Sequence, residues 1–354
     1  SRSAFVEAVG LWQPLRLAEM LGSCRALAGK SSSIRHFSRY KPDILTFLVR
    51  KTPKVPAATP DLQAWWLQHQ ATRLQFSAPI DRALAGGFLA DRVGFAFQAG
   101  YQSALGAMFP DLSLDKLAAF VVTEEGGGRP SAIQTAVSNA PGAPSGSRKL
   151  DGVKTFALSE AEVLLVVARD TAAEQERGSL RVAVVFSDAP GVKWLKDKAI
   201  KFIPEVRHAE VSLESVVVDE WQVLAGDAYI DYVKPFRTIE DVHVMAAILG
   251  YLIRISRATP WPPELTERLL AACCSLRTIA AHDALEADTH LALAGTLHSI
   301  FTLVDECEPF WSQTGGEAQE RWKRDKCLLK VASNVREQRR RAAWDLLEKS
   351  ANGS

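Results

Sequence analysis

The spacing of hydrophobic and polar positions divides the chain into three parts. Residues 1–118 are rich in Ala and Leu without sustained alternation, which predicts helices. Residues 119–227 contain β-branched or alternating runs, which predict strands; these runs are Val163–Arg169, Leu180–Phe186 and Ala209–Val218. Residues 228–354 return to a helical pattern. The sequence therefore predicts an α+β fold, with an N-terminal helical domain, a central β domain and a C-terminal helical domain bounded by these ranges.

Composition narrows the class of protein. A chain of 354 residues with 47% hydrophobic content can bury a large core, and its formal net charge of +1 argues against nucleic-acid binding. The five cysteines show no paired metal-ligand spacing, and their odd number suits a reducing compartment. The longest apolar run, Val244–Ile253, is too short to span a bilayer, and no secretory apolar segment opens the chain. We therefore expect a cytoplasmic protein with no membrane span and no metal.

Two segments carry candidate chemistry. The apolar run Phe120–Val122 predicts a buried strand, and it is followed by Thr123 and by Gly126–Gly128. Glycines adopt positive φ readily and can expose backbone N–H donors to an anion, although three glycines also suit an ordinary loop. The second segment, Asp151–Leu158, predicts a turn and a strand that contains Phe156. A phenylalanine in a strand is more often part of the core than of a cofactor site.

Taken together, these two segments resemble the middle domain of the acyl-CoA dehydrogenase family. The resemblance implies a central β-barrel between helical domains and a homo-oligomer, with a dimer favoured. It also implies that FAD binds between the two strands; the implied cofactor-binding positions are Val122, Thr123, Gly128, Arg129, Phe156 and Leu158.

Both segments depart from the family pattern, and Glu125 stands where the family has Pro. Leu158 replaces a Thr and cannot hydrogen-bond to a flavin, while Arg129 and Pro130 stand where the family has Ser and Asp. Arg129 has two interpretations. It is either a ligand for the cofactor pyrophosphate or an occupant of the cofactor's space.

The resemblance also implies a glutamate base that removes the α-proton of an acyl thioester while a hydride passes to the flavin. Ser333 occupies the position that holds this glutamate in most of the family. A minority place it on the first helix after the barrel, ten residues before a Gly, and Glu240 has that spacing to Gly250. Glu240 is therefore the catalytic candidate. Alternatively, Glu240 and Asp241 have no catalytic role and lie near a helix N-terminus because the helix dipole favours acidic side chains there. The same dipole would lower the pKa of the Glu240 carboxylate.

Three other polar features are less specific. His243 is either a partner that orients Glu240 or a core residue, and His208 is interpreted as a surface residue. The basic run Arg336–Arg341 is interpreted as a solvated face, with CoA phosphate contacts or a subunit interface as alternatives.

Two functions follow from these observations. The first is an FAD-dependent oxidoreductase that acts on a thioester of CoA or of a carrier protein and passes electrons to an acceptor. Thr123, Phe156 and Glu240 favour it. The second is a degenerate relative that binds a ligand or partner without redox chemistry, which Arg129, Pro130 and Leu158 favour.

Overall fold

The computed structural model describes residues 43–54, 56–112, 115–171 and 179–352. The part of the predicted N-terminal helical domain that precedes residue 43 lies outside these ranges. Within the described ranges, four helices come before the first strand: α1 (Ile44–Arg50), α2 (Leu62–Arg73), α3 (Pro79–Leu89) and α4 (Val93–Met108).

The central part of the chain forms strands. They are β1 (Ala118–Val121), β2 (Ala136–Asn139), β3 (Arg148–Leu158), β4 (Val163–Asp170), β5 (Leu180–Phe186), β6 (Val192–Lys198) and β7 (His208–Val218). The segments predicted to form a β-barrel make one seven-stranded mixed sheet with the order β1-β4-β2-β3-β7-β6, and β5 pairs with β4.

Helices return after the sheet. A π-helical turn, Ala228–Val233, leads directly into the first of them. They are α5 (Lys234–Ala258), α6 (Pro263–Ile279), α7 (Ala287–Cys307), α8 (Trp311–Thr314), α9 (Gly316–Asp325) and α10 (Ser333–Asn352). The predicted order of helices, strands and helices is confirmed, whereas the domain bounds stay a prediction. Among the described residues, no helix combines the length and the apolar character needed to cross a bilayer.

Helix α5 is the central element of the helical core. It is 25 residues long and buried on nearly every side, because α3 and α4 pack against it and α6 covers it further along. Glycines in α3 and α4 allow these helices to cross α5 at a short distance. A Cβ on Gly100 of α4 would lie 2.5 Å from Val244 Cα, and one on Gly87 of α3 would lie 1.8 Å from the carbonyl oxygen of Ala247. The backbones of these helices therefore touch.

Helix α4 is also fixed to the sheet by a buried amide. Gln102 donates from Nε2 to the carbonyl oxygen of Ala118 at 2.8 Å and accepts from the Ala118 N–H at 3.1 Å. Both polar groups of the side chain are thus satisfied by the first residue of β1. The two contacts of α4, with α5 and with β1, set the distance between α5 and the sheet.

We predict that Gly100→Ala weakens this crossing. The added methyl group has to displace α5 backbone, so we expect the free energy of unfolding to fall by about 1–3 kcal/mol. Chemical denaturation measures the change. Gly106→Ala is the matched control on the same helix, because nothing lies within 4 Å of the added Cβ. Equal stability of the Gly100→Ala variant and the wild type would contradict the close packing of α4 on α5.

Candidate active site

A cavity of about 310 Å³ lies between the sheet, α4 and the start of α5. Its wall is mostly apolar and aromatic and includes a few polar groups. The lining residues are Phe97, Gln98, Tyr101, Ala119, Phe120, Val122, Thr123, Gly128, Phe156, Ala157, Leu158, His208, Val233, Phe236, Arg237 and Glu240. The structure therefore brings together six of the seven residues that the sequence singled out, from three distant parts of the chain.

A buried ion pair holds one wall of the cavity together. Lys154 of β3 has no solvent exposure, and its Nζ donates to Glu124 Oε1 at 2.7 Å and to the Val122 carbonyl oxygen at 3.1 Å. The Thr155 N–H donates to the Thr123 carbonyl oxygen at 2.9 Å. The segment after β1 is thus fastened along β3, which places Val122 and Thr123 beside Phe156.

The charges of this pair are balanced within the protein. Burial lowers the pKa of Lys154 to about 8, and the carboxylate of Glu124 limits that fall. Burial opposes ionisation of Glu124, but Lys154 and the N–H groups of Gln134 and Thr135 hold its pKa below the ordinary value. Both residues stand in the two segments that predicted the site, but the sequence did not predict that they pair.

The three glycines form a tight turn. Gly127 has a φ of +99°, and its N–H and carbonyl groups both bond to the backbone of Glu124. The Gly127 N–H is therefore not available to an anion. Gly128 alone of the three lines the cavity. The Thr123 hydroxyl forms no hydrogen bond within the described part of the chain, so it remains available to a ligand.

Next to this segment, the same wall pairs an aromatic ring with an imidazole. Phe156 is 45% exposed, and its ring stacks on His208 at a centroid distance of 4.3 Å. Leu158 is the β3 partner of His208 in β7 and is buried at the cavity wall. The interpretation of His208 as a surface residue is wrong. His208 is half-buried at the cavity because the ring of Phe156 stacks on it, which the sequence pattern around it does not indicate.

His208 is neutral at physiological pH. Its Nδ1 lies 3.0 Å from the carbonyl oxygen of Val206, which requires a proton on Nδ1 and leaves Nε2 as an acceptor. Burial lowers the pKa of His208 to about 4, although the bond to Val206 opposes the change.

Glu240 reaches the cavity from the second turn of α5. It is half-buried and forms no hydrogen bond or ion pair with any described residue. Burial, and after it the charge of Asp241, raises the pKa of Glu240 to about 7 against the opposing effect of three arginines. The net change in the pKa of Glu240 is upward, so desolvation outweighs any lowering by the helix dipole. The dipole acts within the first turn, whereas Glu240 lies beyond it, where desolvation dominates.

Asp241, the next residue, faces away from the cavity towards α10. Its carboxylate accepts from Arg336 at 2.8 Å and 3.0 Å and also pairs with Arg339. The interpretation of the basic run as a solvated face therefore fails for these two arginines, which fasten α10 to α5. Arg340 and Arg341 instead pair with Glu337 on the surface of α10.

Two further residues of the cavity wall were not predicted from the sequence. The Phe120 N–H donates to the hydroxyl oxygen of Tyr101 at 2.9 Å, and burial followed by the charge of Glu240 raises the pKa of this phenol. Arg237 is exposed at the cavity and lies one helical turn before Glu240. Only the i, i+3 spacing to Glu240 indicated that Arg237 shares its helix face.

Other candidates lie elsewhere. Arg129 is exposed and does not line the cavity, so it does not fill the space between the strands. His243 is buried in the core and bonds through Nδ1 to the Ile239 carbonyl oxygen at 2.7 Å, so it does not orient Glu240. Ser333 is exposed at the start of α10 and donates to Lys330. The described residues contain no group of His, Cys, Asp or Glu side chains arranged to hold a metal ion.

This arrangement of helices and sheet occurs in solved proteins. Butyryl-CoA dehydrogenase from Megasphaera elsdenii matches with a TM-score of 0.64 at 15% identity, over 88% of this chain and 99% of that chain. The chain has the acyl-CoA dehydrogenase fold. FMN-bound TdsC from Paenibacillus sp. A11-2 matches with a TM-score of 0.63 at 15% identity, over 86% of this chain and 94% of that chain.

A third similar structure is the prolyl acyl carrier protein oxidase AnaB, with a TM-score of 0.59 at 16% identity, over 80% of this chain and 90% of that chain. Neither a protein-family model nor a curated protein sequence matches the chain. The resemblance predicted from the two strand segments is thus confirmed as a shared acyl-CoA dehydrogenase fold. At these identities the function has to be argued from the side chains.

We predict that Lys154→Met strongly destabilises the protein. The substitution leaves the Glu124 carboxylate buried without its cation, which typically costs about 3–5 kcal/mol. Thermal and chemical denaturation measure the loss. Lys149→Met on the same strand is the control, since Lys149 pairs with Asp151 at 3.2 Å near the surface and should contribute little. Similar losses in the two variants would contradict the importance of the buried pair.

We also predict that Glu240→Gln stabilises the protein at alkaline pH. The folded-state pKa of Glu240 is about 7 against an ordinary value of 4.5, so the folded state binds the proton more tightly than the unfolded state. Stability of the wild type should therefore fall as pH rises from about 4.5 to 7. At pH 8 the variant should be more stable by roughly 1–3 kcal/mol, with little difference at pH 4. A less stable variant at pH 8 would indicate a stabilising partner for the carboxylate.

Proposed function

We propose that this protein is a flavin-dependent oxidoreductase that acts on an acyl-CoA-like thioester, with FAD as the cofactor and Glu240 as the base. The observation that carries the proposal is the position of Glu240. A half-buried carboxylate that forms no hydrogen bond with any described residue faces the cavity, whose other wall is formed by the two candidate flavin strands. A bound flavin would supply the acceptor for a hydride from the β-carbon of the acyl group.

The residues of the cavity suit a flat aromatic group. Val122 and Phe156 supply apolar surface from two neighbouring segments, and Thr123 offers a hydroxyl that forms no hydrogen bond with the residues that the structure describes. Gly128 adds no side chain, so a ligand can approach the backbone there. Arg129 is exposed beyond the cavity, which is compatible with a contact to the cofactor's phosphates.

The environment of Glu240 suits proton abstraction. A base with a pKa of about 7 is partly ionised at physiological pH and still has substantial affinity for the proton that it removes. The apolar wall from Phe120 and Phe236 limits water around the carboxylate. Glu240 would take the α-proton of the thioester and hold it as the neutral acid. Asp241 does not compete for this role, because two arginines neutralise it.

Similar proteins support the reaction class. The structures that this chain resembles include a butyryl-CoA dehydrogenase, an FMN-bound protein and a prolyl acyl carrier protein oxidase. We therefore propose a thioester of CoA or of a carrier protein as substrate and a separate electron acceptor. We also propose that the protein is a homodimer and is located in the cytoplasm.

A second candidate is a binding protein of the same fold without redox chemistry. Leu158 supports it, because this side chain fills a cavity position where the family offers a hydroxyl to the flavin. Gly127 also supports it, because its N–H is consumed within the turn. Such a protein would bind an acyl ligand in the cavity without transferring electrons.

We predict that the purified protein retains FAD after incubation and desalting, measured by visible absorbance. An acyl-CoA substrate should bleach the flavin band, with a rate that rises with pH through about 7 because Glu240 has to be ionised. Glu240→Gln should retain the flavin and lose bleaching by at least about 100-fold.

Glu267→Gln is the control for this experiment, since Glu267 is exposed on α6 and remote from the cavity wall. It should bleach at the wild-type rate. A protein that binds neither FAD nor FMN would overturn the oxidoreductase and favour the binding protein. Normal bleaching of the Glu240→Gln variant would remove Glu240 as the base but leave the flavoenzyme standing.

A further inference from the structure

The charges on the cavity wall are few, and their states differ. His208 is neutral because its pKa lies at about 4, and Glu240 is partly protonated near neutral pH because its pKa lies at about 7. Tyr101 is a neutral phenol at this pH. Arg237 is therefore the permanent positive charge on the described wall of the cavity.

Arg237 acts on Glu240 only through its charge, which lowers the pKa of that carboxyl. It forms no hydrogen bond or ion pair within the described part of the chain, although other arginines near the same helix are fully engaged. Arg336 and Arg339 share the carboxylate of Asp241, for example. A guanidinium presents five donors in a planar fork that matches a carboxylate, so an unpaired arginine on a ligand cavity is suited to bind one.

The position of Arg237 on α5 limits where that carboxylate can lie. Arg237 and Glu240 are three residues apart and line the same cavity, and side chains at this spacing start about 5–6 Å from each other. An anionic group held by Arg237 would therefore lie only a few bonds from the carbon that loses its proton to Glu240. A short acyl chain meets that requirement, and the small, largely apolar cavity accommodates it.

We propose that Arg237 determines substrate specificity by binding a carboxylate at the far end of a short acyl group. The proposal rests on the proposed function, because it assumes that an acyl thioester enters the cavity. It names a dicarboxylic acyl group as the preferred substrate class. A phosphate of the cofactor or of CoA is the competing anion, and the experiment separates it from a substrate carboxylate.

The test compares the CoA thioesters of pentanoate and pentanedioate, which have the same number of acyl carbons and differ in their terminal group. Isothermal titration of the flavin-loaded wild type should show tighter binding of the pentanedioyl thioester by about 10- to 100-fold, as expected for charged hydrogen bonds. Arg237→Met should lose this preference and keep its affinity for the pentanoyl thioester. Arg50→Met, at an exposed arginine of α1, should behave like the wild type.

The outcomes distinguish the two proposals. Equal binding of both thioesters by the wild type would overturn the role of Arg237 and leave the thioester oxidoreductase standing. An Arg237→Met variant that keeps the preference but loses flavin absorbance or binds both thioesters more weakly would assign Arg237 to a phosphate and overturn the proposal. A flavin-loaded wild type that binds neither thioester would overturn both the specificity and the proposed substrate class.

Discussion

The buried ion pair between Lys154 and Glu124 is the contact on which the cavity depends. Both charged side chains are almost completely buried. Burying two opposite charges is costly unless they contact each other and form further hydrogen bonds. Here the carboxylate also receives two backbone N–H groups, and the ammonium also donates to Val122. Because these bonds join the segment after β1 to the middle of β3, they hold the two candidate flavin strands side by side.

The helical side of the cavity is set by backbone contact. Glycines in α3 and α4 allow both helices to touch α5, and Gln102 connects α4 to β1. The second turn of α5 is thereby held opposite the sheet at a distance that leaves about 310 Å³ between them. The cavity is thus the space between two walls that these contacts hold apart, and Glu240 projects from one towards the other.

The two adjacent carboxylates of α5 have opposite environments. Asp241 is buried and paired with two arginines of α10, while Glu240 lies against apolar side chains and has a raised pKa. One residue along a helix changes the direction of a side chain by about 100°. That rotation separates a structural ion pair from a candidate base.

The sequence by itself determined the order of helices, strands and helices, because hydrophobic periodicity is a local property that each segment carries. It also indicated the two strand segments of the candidate site and Glu240 as the candidate base, because short motifs and their spacing along the chain point to both. Only the tertiary structure decided that Lys154 pairs with Glu124, that His208 stacks on Phe156, and that Tyr101 and Arg237 share a cavity with Glu240. These contacts depend on strand order and helix crossings between residues far apart in the chain. The pKa of Glu240 depends on them too, since burial is a property of the assembled core and not of the neighbouring residues.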